Sequence, residues 1–508
     1  MTALALRLSY RGALVVAVAA GGMSALVAAT YRTTIGALDG SSLRALAENP
    51  AIRVLFGPPL ALDDPGGFTV WRTGTAVAVL VSAWAMLTAT RLTRGEEDAG
   101  RAEQLLAGRL TPTGLAVRAL AAVSAGVVVA GVAVSAGLVA GGAGAAGAVV
   151  HGAGVAGTGL VFAGVGVLAG QVMPSRGGAS GFAAAVLGVA LLARMLGERT
   201  EPLGWVTPFG LAGRSVPFAG NRMGPLLVLA ALAVGFACVA LLAARGRDLG
   251  QGRVRHRVRR RPRFALLGSV GGFAVRRAIG PTLGWTVGVA GFLLFVGSLV
   301  GEIVRFLDEN RRLADLAAGA GFTALGTPEG FAAAMFGVVS IPAGVFAASR
   351  IAALTADEAA RRTTPLLALP VSRARHLGTE VAVTAAALLV LLAVAGVAYA
   401  AGSGLRLGAA LAGTLTTAPV ALLSLGAAAL AHGWLPRAVL AVGALPAAGG
   451  FLLHAAVPPL APLTPYAHLA PVPAAPPNWP AALTMVAIAA ALTHLGIQAY
   501  RRRDLRTR

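Results

Sequence analysis

Run after run of about twenty residues in this chain carries almost no charge, and that pattern decides what it can fold into. Such runs occupy 13–30, 68–90, 113–140, 146–172, 178–197 and 224–244 in the first half. They occupy 283–303, 330–353, 379–401, 407–433, 437–457 and 481–499 in the second. Crossing a bilayer as a helix takes about 20 mostly apolar residues. Of the 508 residues, 56% are hydrophobic and 12% charged, where soluble domains carry about 25% charged. A soluble fold of this size has no interior large enough for so much apolar surface, so lipid is the solvent. The expected fold is an all-α polytopic membrane protein of about twelve transmembrane helices.

The long run over 113–172 is divided at the Gly-rich GGAGAAG, Gly141–Gly147, a poor place for helix. The apolar N-terminus behind Arg7 and Arg11 has the look of a secretory signal, but the many runs after it favour an uncleaved first span. Orientation follows from arginine asymmetry. Nine arginines stand against Asp248 alone over 245–263, and Arg501, Arg502, Arg503, Arg506 and Arg508 against Asp504 in the tail, so both stretches are expected in the cytoplasm. The mixed stretches 31–67 and 304–329 are expected outside, with helix-like pieces SSLRALAENPAIRVLF and ENRRLADLAAG. This gives two pseudo-symmetric six-helix halves, 1–244 and 283–508, joined by an Arg-rich linker 245–282, with both termini cytoplasmic.

A charged segment occurs twice in this apolar chain. RGEEDAGRAEQLLAG (Arg94 to Gly108) returns in degraded form as ADEAARRTTPLLALP (Ala356 to Pro370). Thr207-Pro208-Phe209 similarly returns as Thr464-Pro465-Tyr466. Read as helices, the segments put Glu97, Arg101 and Leu105 on one face, and Glu358, Arg362 and Leu366 on the other copy's face, with Asp357–Arg361 as a second pair. Thr111-Pro112 and Ser372 are expected to cap the spans that follow. Gly100 loosens the first helix, and Pro365 is expected to break the second before Leu366. Each segment is either a solvated interfacial linker or a docking helix.

Several function classes are excluded. All 42 basic residues are Arg, so no P-loop Lys and no Schiff-base Lys exists. Cys238 is the single cysteine, and HExxH, GxSxG and paired carboxylates are absent, so neither a metal site nor a membrane enzyme is expected. No intramembrane carboxylate is placed for proton coupling. The pairs Glu302–Arg305 and Arg194–Glu198 lie near interfaces, where local pairing suffices. His454 and His494 are expected to be packed or hydrogen-bonded. Gly166 with Gly170, and Gly284 with Gly288, have close-packing spacing. The Pro-rich 458–480 with Trp479 is a rigid cap or a plain connector. The arginines Arg253 to Arg263 suit anionic lipid headgroups; nucleic acid would call for interleaved aromatics, and only Phe264 is near.

GEEDAGRAEQLLAGRLT resembles the characteristic stretch of ABC exporter permeases, in particular the group described as exporters of polyketide antibiotics, and DEAARRTTPLLALPVSR resembles it again in the second half. The layout of two six-span halves and the Thr-Pro-aromatic before each last span agree with that group. The resemblance implies that this loop meets a nucleotide-binding subunit. Carried over by position, the coupling residues are Glu96, Glu97, Gly100, Arg101, Glu103, Leu105 and Leu106, with Asp357, Glu358, Arg362, Leu366, Leu367, Pro370 and Arg373. The chain departs at Ala102, where an aromatic is frequent, and at Arg361, where the first copy has Gly. The implied protein is the permease subunit of an ATP-driven exporter of amphipathic drugs, antibiotics or lipids in the bacterial inner membrane. It holds no cofactor itself; ATP and Mg belong to a separate ABC ATP-binding subunit, present in two copies. The alternative is an ion-coupled secondary transporter of the twelve-helix facilitator type, which shares the two halves and a charged motif between spans 2 and 3.

Overall fold

The computed structural model describes residues 2–31, 57–108, 111–197, 201–247, 252–253, 264–309, 327–456 and 458–503. The piece SSLRALAENPAIRVLF, Glu198, the arginines Arg255 to Arg263 and the end of the tail lie outside them. No strand occurs among the described residues, and eleven helices are long and apolar enough to cross a membrane. The chain is a multi-pass membrane protein. It divides into two compact units, Met1–Arg259 and Arg260–Arg508.

The first unit contains α1 (Thr2–Ala29), α2 (Pro65–Thr90), the short α3 (Arg101–Leu106), α4 (Pro112–Ala140), α5 (Ala145–Val172), α6 (Arg176–Leu196), the short α7 (Glu201–Val206) and α8 (Pro208–Arg214), and α9 (Gly224–Ala244). The caps explain where several begin. Asp64 accepts from the amides of Gly66 and Gly67 ahead of α2, Thr111 from Gly114 ahead of α4, and Thr207 from Gly210 ahead of α8. A proline follows each cap, where its fixed φ favours helix and its missing N–H is no loss. α4 and α5 separate where expected: Gly142 takes φ +94° and α5 starts at Ala145.

The second unit contains α10 (Val270–Glu309), α11 (Pro328–Ala359), the four-residue α12 (Thr364–Leu367), α13 (Arg373–Ser403), α14 (Leu407–Leu415), α15 (Ala418–Trp434), α16 (Val439–Ala444), α17 (Gly450–Ala456) and α18 (Trp479–Arg502). Thr327 and Ser372 cap α11 and α13. α10 begins well before the apolar run, because the Ser269 hydroxyl accepts from Gly272 N at 3.0 Å; the stretch expected as linker is therefore helical from Val270 onward.

Of the twelve apolar runs, 437–457 is the one that forms no helix of spanning length, while 407–433 crosses as α14 and α15 with a turn at Thr416 and Thr417 between them. A 3-10 turn (Pro436–Ala438), α16, a π turn (Leu445–Gly449) and α17 follow one another instead. Pro446 has no N–H to donate and its ring crowds the preceding turn, so the hydrogen-bond register widens there. Eleven spans of crossing length and one run broken into short turns are the outcome among the described residues.

In the first unit α1 packs on α4, α2 on α5, and α9 on α5; in the second α10 packs on α13, α11 on α15, and α18 on α15. α5 and the α14–α15 stretch, the fourth span of each unit, are the most enclosed. Lipid offers no hydrophobic drive for such packing, so close backbone approach supplies it. Gly166 meets this need: an added Cβ would stand 2.7 Å from the Met86 carbonyl on α2. Gly284 and Gly288 do not, since nothing lies within 4 Å of either. The tight pair in the second unit is one the spacing did not single out, Gly433 on α15 against Gly496 on α18, where a Cβ on Gly433 would stand 2.6 Å from the Gly496 carbonyl.

The Thr-Pro-aromatic triplets each drive a ring inward. Phe209 stacks on Phe162 at 5.7 Å between centroids. The Tyr466 hydroxyl donates to the Ala447 carbonyl at 3.0 Å and lies 2.6 Å from the Ser340 hydroxyl. Burial pushes the Tyr466 phenol up to about 12, so it remains a neutral donor. The Pro-rich stretch is thus pinned from within. His454 sits against it, Nδ1 3.1 Å from Thr464 Oγ1. Gly433→Val should lower stability by about 1–3 kcal/mol through overpacking, while Gly284→Ala should leave it unchanged; thermal unfolding of the detergent-solubilised protein, followed by size-exclusion recovery, checks both.

Candidate functional site

The two charged segments are turns that follow the second span of each unit. α2 does not stop cleanly. It widens into a π turn over Arg91–Gly95, tightens again over Glu96–Asp98, and ends where Gly100 takes φ +70°. α3 starts afresh from Arg101. The expected Glu97–Arg101–Leu105 face is therefore not formed, because the left-handed residue between Glu97 and Arg101 resets the helical phase. Arg101 instead forks onto Glu96 at 2.7 and 2.8 Å. That bond holds the exposed guanidinium further above its ordinary pKa. Glu97 turns inward to Arg94 at 2.7 Å and to Arg247. Arg94, with no exposed side-chain surface, also donates to the Pro174 carbonyl at 2.7 Å. Asp98 accepts from the Arg176 amide at 2.7 Å, at the start of α6.

The second turn reaches the same backbone form by other residues. α11 ends at Ala359, and Arg361 takes φ +57°. Arg361 stands where the first copy has Gly100, and both positions are left-handed, so this departure leaves the turn's backbone unchanged. The expected Glu358–Arg362 and Asp357–Arg361 pairs are not made, since the chain reverses between their members. Asp357 is held by Arg277 at 2.6 Å, with Arg362 at 3.6 Å. Glu358 is bound by Arg503 and lies 3.6 Å from His432 Nε2. Nor does Pro365 break a helix: it occupies the first turn of α12, where a proline belongs.

One contact recurs. Arg247 follows α9 and Arg503 follows α18, each unit's last span, and each binds the glutamate of its own unit's turn, Glu97 and Glu358. Arg373 adds to the second clamp by donating to the Arg503 carbonyl at 2.5 Å, and Arg503 donates to the His432 carbonyl at 2.5 Å. The turn after span 2 and the end of the last span thus share one face of each unit.

Sequence reasoning missed Glu380. It lies in α13 with a buried side chain, bound by Arg277 at 2.8 Å and Arg350 at 3.2 Å. Arg277 joins it to Asp357, giving a chain Asp357–Arg277–Glu380–Arg350. The available signal was a lone acid in an otherwise apolar span, which is a pathway or pairing marker; its position at the start of the run concealed it.

The carried-over residues therefore divide by exposure. Glu97, Asp357, Glu358 and Arg373 hold the turns to their own units, and Glu96 braces the first turn from within through Arg101. Gly100, Arg101, Glu103, Arg362 and Pro370 are exposed, and Leu106 and Leu366 half-buried. Leu105 lies in α3 and Leu367 ends α12.

Arg361→Gly should stabilise the protein and Gly100→Ala destabilise it, each by about 1 kcal/mol, because only glycine takes the left-handed region without penalty; paired thermal melts read the opposite signs. Glu97→Ala removes a carboxylate shared by two buried guanidinium groups and should cost about 3–5 kcal/mol, whereas the added Arg247→Gln should recover part of that loss in a double-mutant cycle.

Residues 267–501 match the family model described as multidrug efflux system permease Rv1217c, C-terminal domain. The chain is also similar to the multidrug efflux system permease protein Rv1217c of Mycobacterium tuberculosis (strain ATCC 25618 / H37Rv), 32% identical over 487 residues that cover 91% of this chain and 86% of that protein. With its membrane spans and paired turns, the chain is a transport subunit and belongs to the multidrug efflux permease family.

Proposed function

We propose that the chain is the permease of an ATP-driven exporter in the bacterial inner membrane, and that a separate ABC ATP-binding subunit, in two copies, docks on the exposed tips of the two turns. The observation that carries the reading is the clamp in each unit. The turn after span 2 is tied to the arginine that ends the last span, so both lie on the arginine-rich side, which the charge rule assigns to the cytoplasm. A force on either turn would be passed to the last span through Glu97–Arg247 or Glu358–Arg503, and so to the fourth span on which it packs. The two turns are read as copies of one duplicated six-span unit, since they share the left-handed residue, the capped span that follows and the clamp. ATP and Mg would be bound by the partner. The substrate would be a small amphipathic compound, and anionic lipid would border the arginine-rich stretches.

Glu96, Glu97, Asp98, Asp357 and Glu358 are engaged internally, so the partner would read Arg101, Glu103, Arg362 and Leu369, all exposed. An ion-coupled transporter is the second reading, favoured by Glu380 in α13. Against it, both Glu380 oxygens already face guanidinium groups.

Charge reversal at the tips, Glu103→Arg with Arg362→Glu, should release the ATPase on co-purification and abolish permease-stimulated ATP hydrolysis while leaving the melting temperature unchanged. Retention of the complex and its stimulation would refute the docking assignment. Efflux from energised cells should stop on ATP depletion and survive a protonophore; the reverse pattern would favour ion coupling.

A further inference from the structure

The first unit holds a cavity that the coupling turns do not touch. Its volume is about 560 Å³, within the range of small-molecule sites. Val155 on α5, with Trp205 and Phe209 on α7 and α8, gives it an apolar and aromatic wall. Two uncharged polar side chains also line it, Thr75 on α2 and His151 on α5. Arg194 and Arg214 border the cavity, but each is already engaged elsewhere, Arg214 over the Trp205 ring among other contacts. Gly74 and Arg94 stand on one continuous helical stretch with a separation on the order of 30 Å, so the cavity and the clamp occupy opposite ends of the unit.

The two polar groups are the unusual part. A polar side chain packed inside a membrane unit ordinarily has a hydrogen-bond partner. The His151 ring and the Thr75 hydroxyl, both half-buried, have none among the described residues. Thr75 differs in this from its neighbours on the same helix, since Thr69 donates to the Pro65 carbonyl at 2.7 Å and Thr73 to the Thr69 carbonyl at 2.9 Å. Gly74 makes room for the imidazole beside Thr75: a Cβ on it would stand 3.0 Å from His151 Cε1 and 3.5 Å from Nε2. The surrounding wall is rigid. Phe209 stacks on Phe162 at 5.7 Å. Val216, also on the lining, takes φ +47°, which a β-branched residue keeps only where its surroundings enforce it. They do so here, because the Phe218 ring fills a slot between Gly66 and Gly147, and Arg222 N donates to the Ser215 carbonyl at 2.7 Å.

We infer that this cavity binds an uncharged planar aromatic molecule carrying a hydroxyl, a phenol or a naphthol, with its ring against Trp205 and Phe209 and its hydroxyl between His151 and Thr75. A neutral imidazole offers one donor and one acceptor, and a threonine hydroxyl can act as either. A phenolic hydroxyl therefore donates to the bare ring nitrogen of His151 and accepts from Thr75, while its ring takes the aromatic wall. A wholly apolar ligand would fill the same wall but leave both polar groups unpaired in a dry site. The inference concerns binding in one unit and holds whether or not an ATPase drives transport.

The full chain in nanodiscs is titrated calorimetrically with 2-naphthol and, separately, with 2-methoxynaphthalene, which keeps the ring but cannot donate; heats from empty discs are subtracted. Naphthol should bind saturably at one site per chain and the methoxy compound about tenfold more weakly. His151→Phe should erase this preference by weakening naphthol alone, and His151→Gln, which keeps a donor and an acceptor, should retain most of it. Thr75→Val, of nearly the same shape, should weaken naphthol by about threefold or more without moving the melting temperature, and it carries the test if His151→Phe fails to fold. Trp205→Ala should weaken both compounds alike. Absence of saturable naphthol binding, equal binding of the methoxy compound, or an unchanged preference in folded His151→Phe or in Thr75→Val would overturn the inference. No ATPase is present and no coupling turn is altered, so a failed docking experiment and a failed titration are told apart.

Discussion

A charged group at the edge of a lipid-solvated helix has two stable options, water or a partner, and the second governs this fold. Glu97 and Glu358 take it, each held by an arginine that the chain supplies only after the rest of the unit's spans have been laid down. The pairing is long-range in sequence and short-range in space. It fixes where the last span of a unit ends against its second, and it turns a loop into a strut. Arg94, buried between Glu97 and the Pro174 carbonyl, shows how completely the first turn is enclosed.

The proposed coupling draws on the same interaction. A permease moved by an outside motor has to receive force at a loop and deliver it to its spans. An exposed tip on a pinned base does this better than a freely solvated helix, because the base transmits displacement instead of absorbing it. Exposed and engaged residues alternate accordingly in both turns, with Arg101 out and Glu97 in, Arg362 out and Glu358 in. The resemblance to exporter permeases gave all the charges of these stretches one role, whereas burial divides them in two.

Glycine and proline decide the finer architecture. The left-handed position is filled by Gly100 in one turn and by Arg361 in the other, so tertiary contacts in the second unit hold a conformation that its residue disfavours. Pro365, expected to interrupt a helix, starts one, while Pro446 interrupts a run that composition alone marks as a span. Position within the helix matters, since a missing N–H is harmless in the first turn and costs a bond further on, but it does not decide alone: α10 carries Pro281 and α11 carries Pro342 without interruption.

What the sequence by itself determined is the class of fold and the placing of its turns. Long uncharged runs allow only lipid-spanning helices, because each backbone group must be satisfied within its own segment, and that local rule located eleven of the spans, the break at Gly142 and the caps Thr111 and Ser372. Only the tertiary structure decided which charges meet. Helical spacing pointed to Glu97–Arg101 and Glu358–Arg362, but a single left-handed residue redirected both, and the partners came from helix ends far along the chain. Glu380 with Arg277 and Arg350, and the cavity that gathers Thr75, His151, Trp205 and Phe209, belong to the same category. Ion pairs and cavity walls assembled from separate helices leave no periodic trace, since their geometry is set by packing and not by spacing.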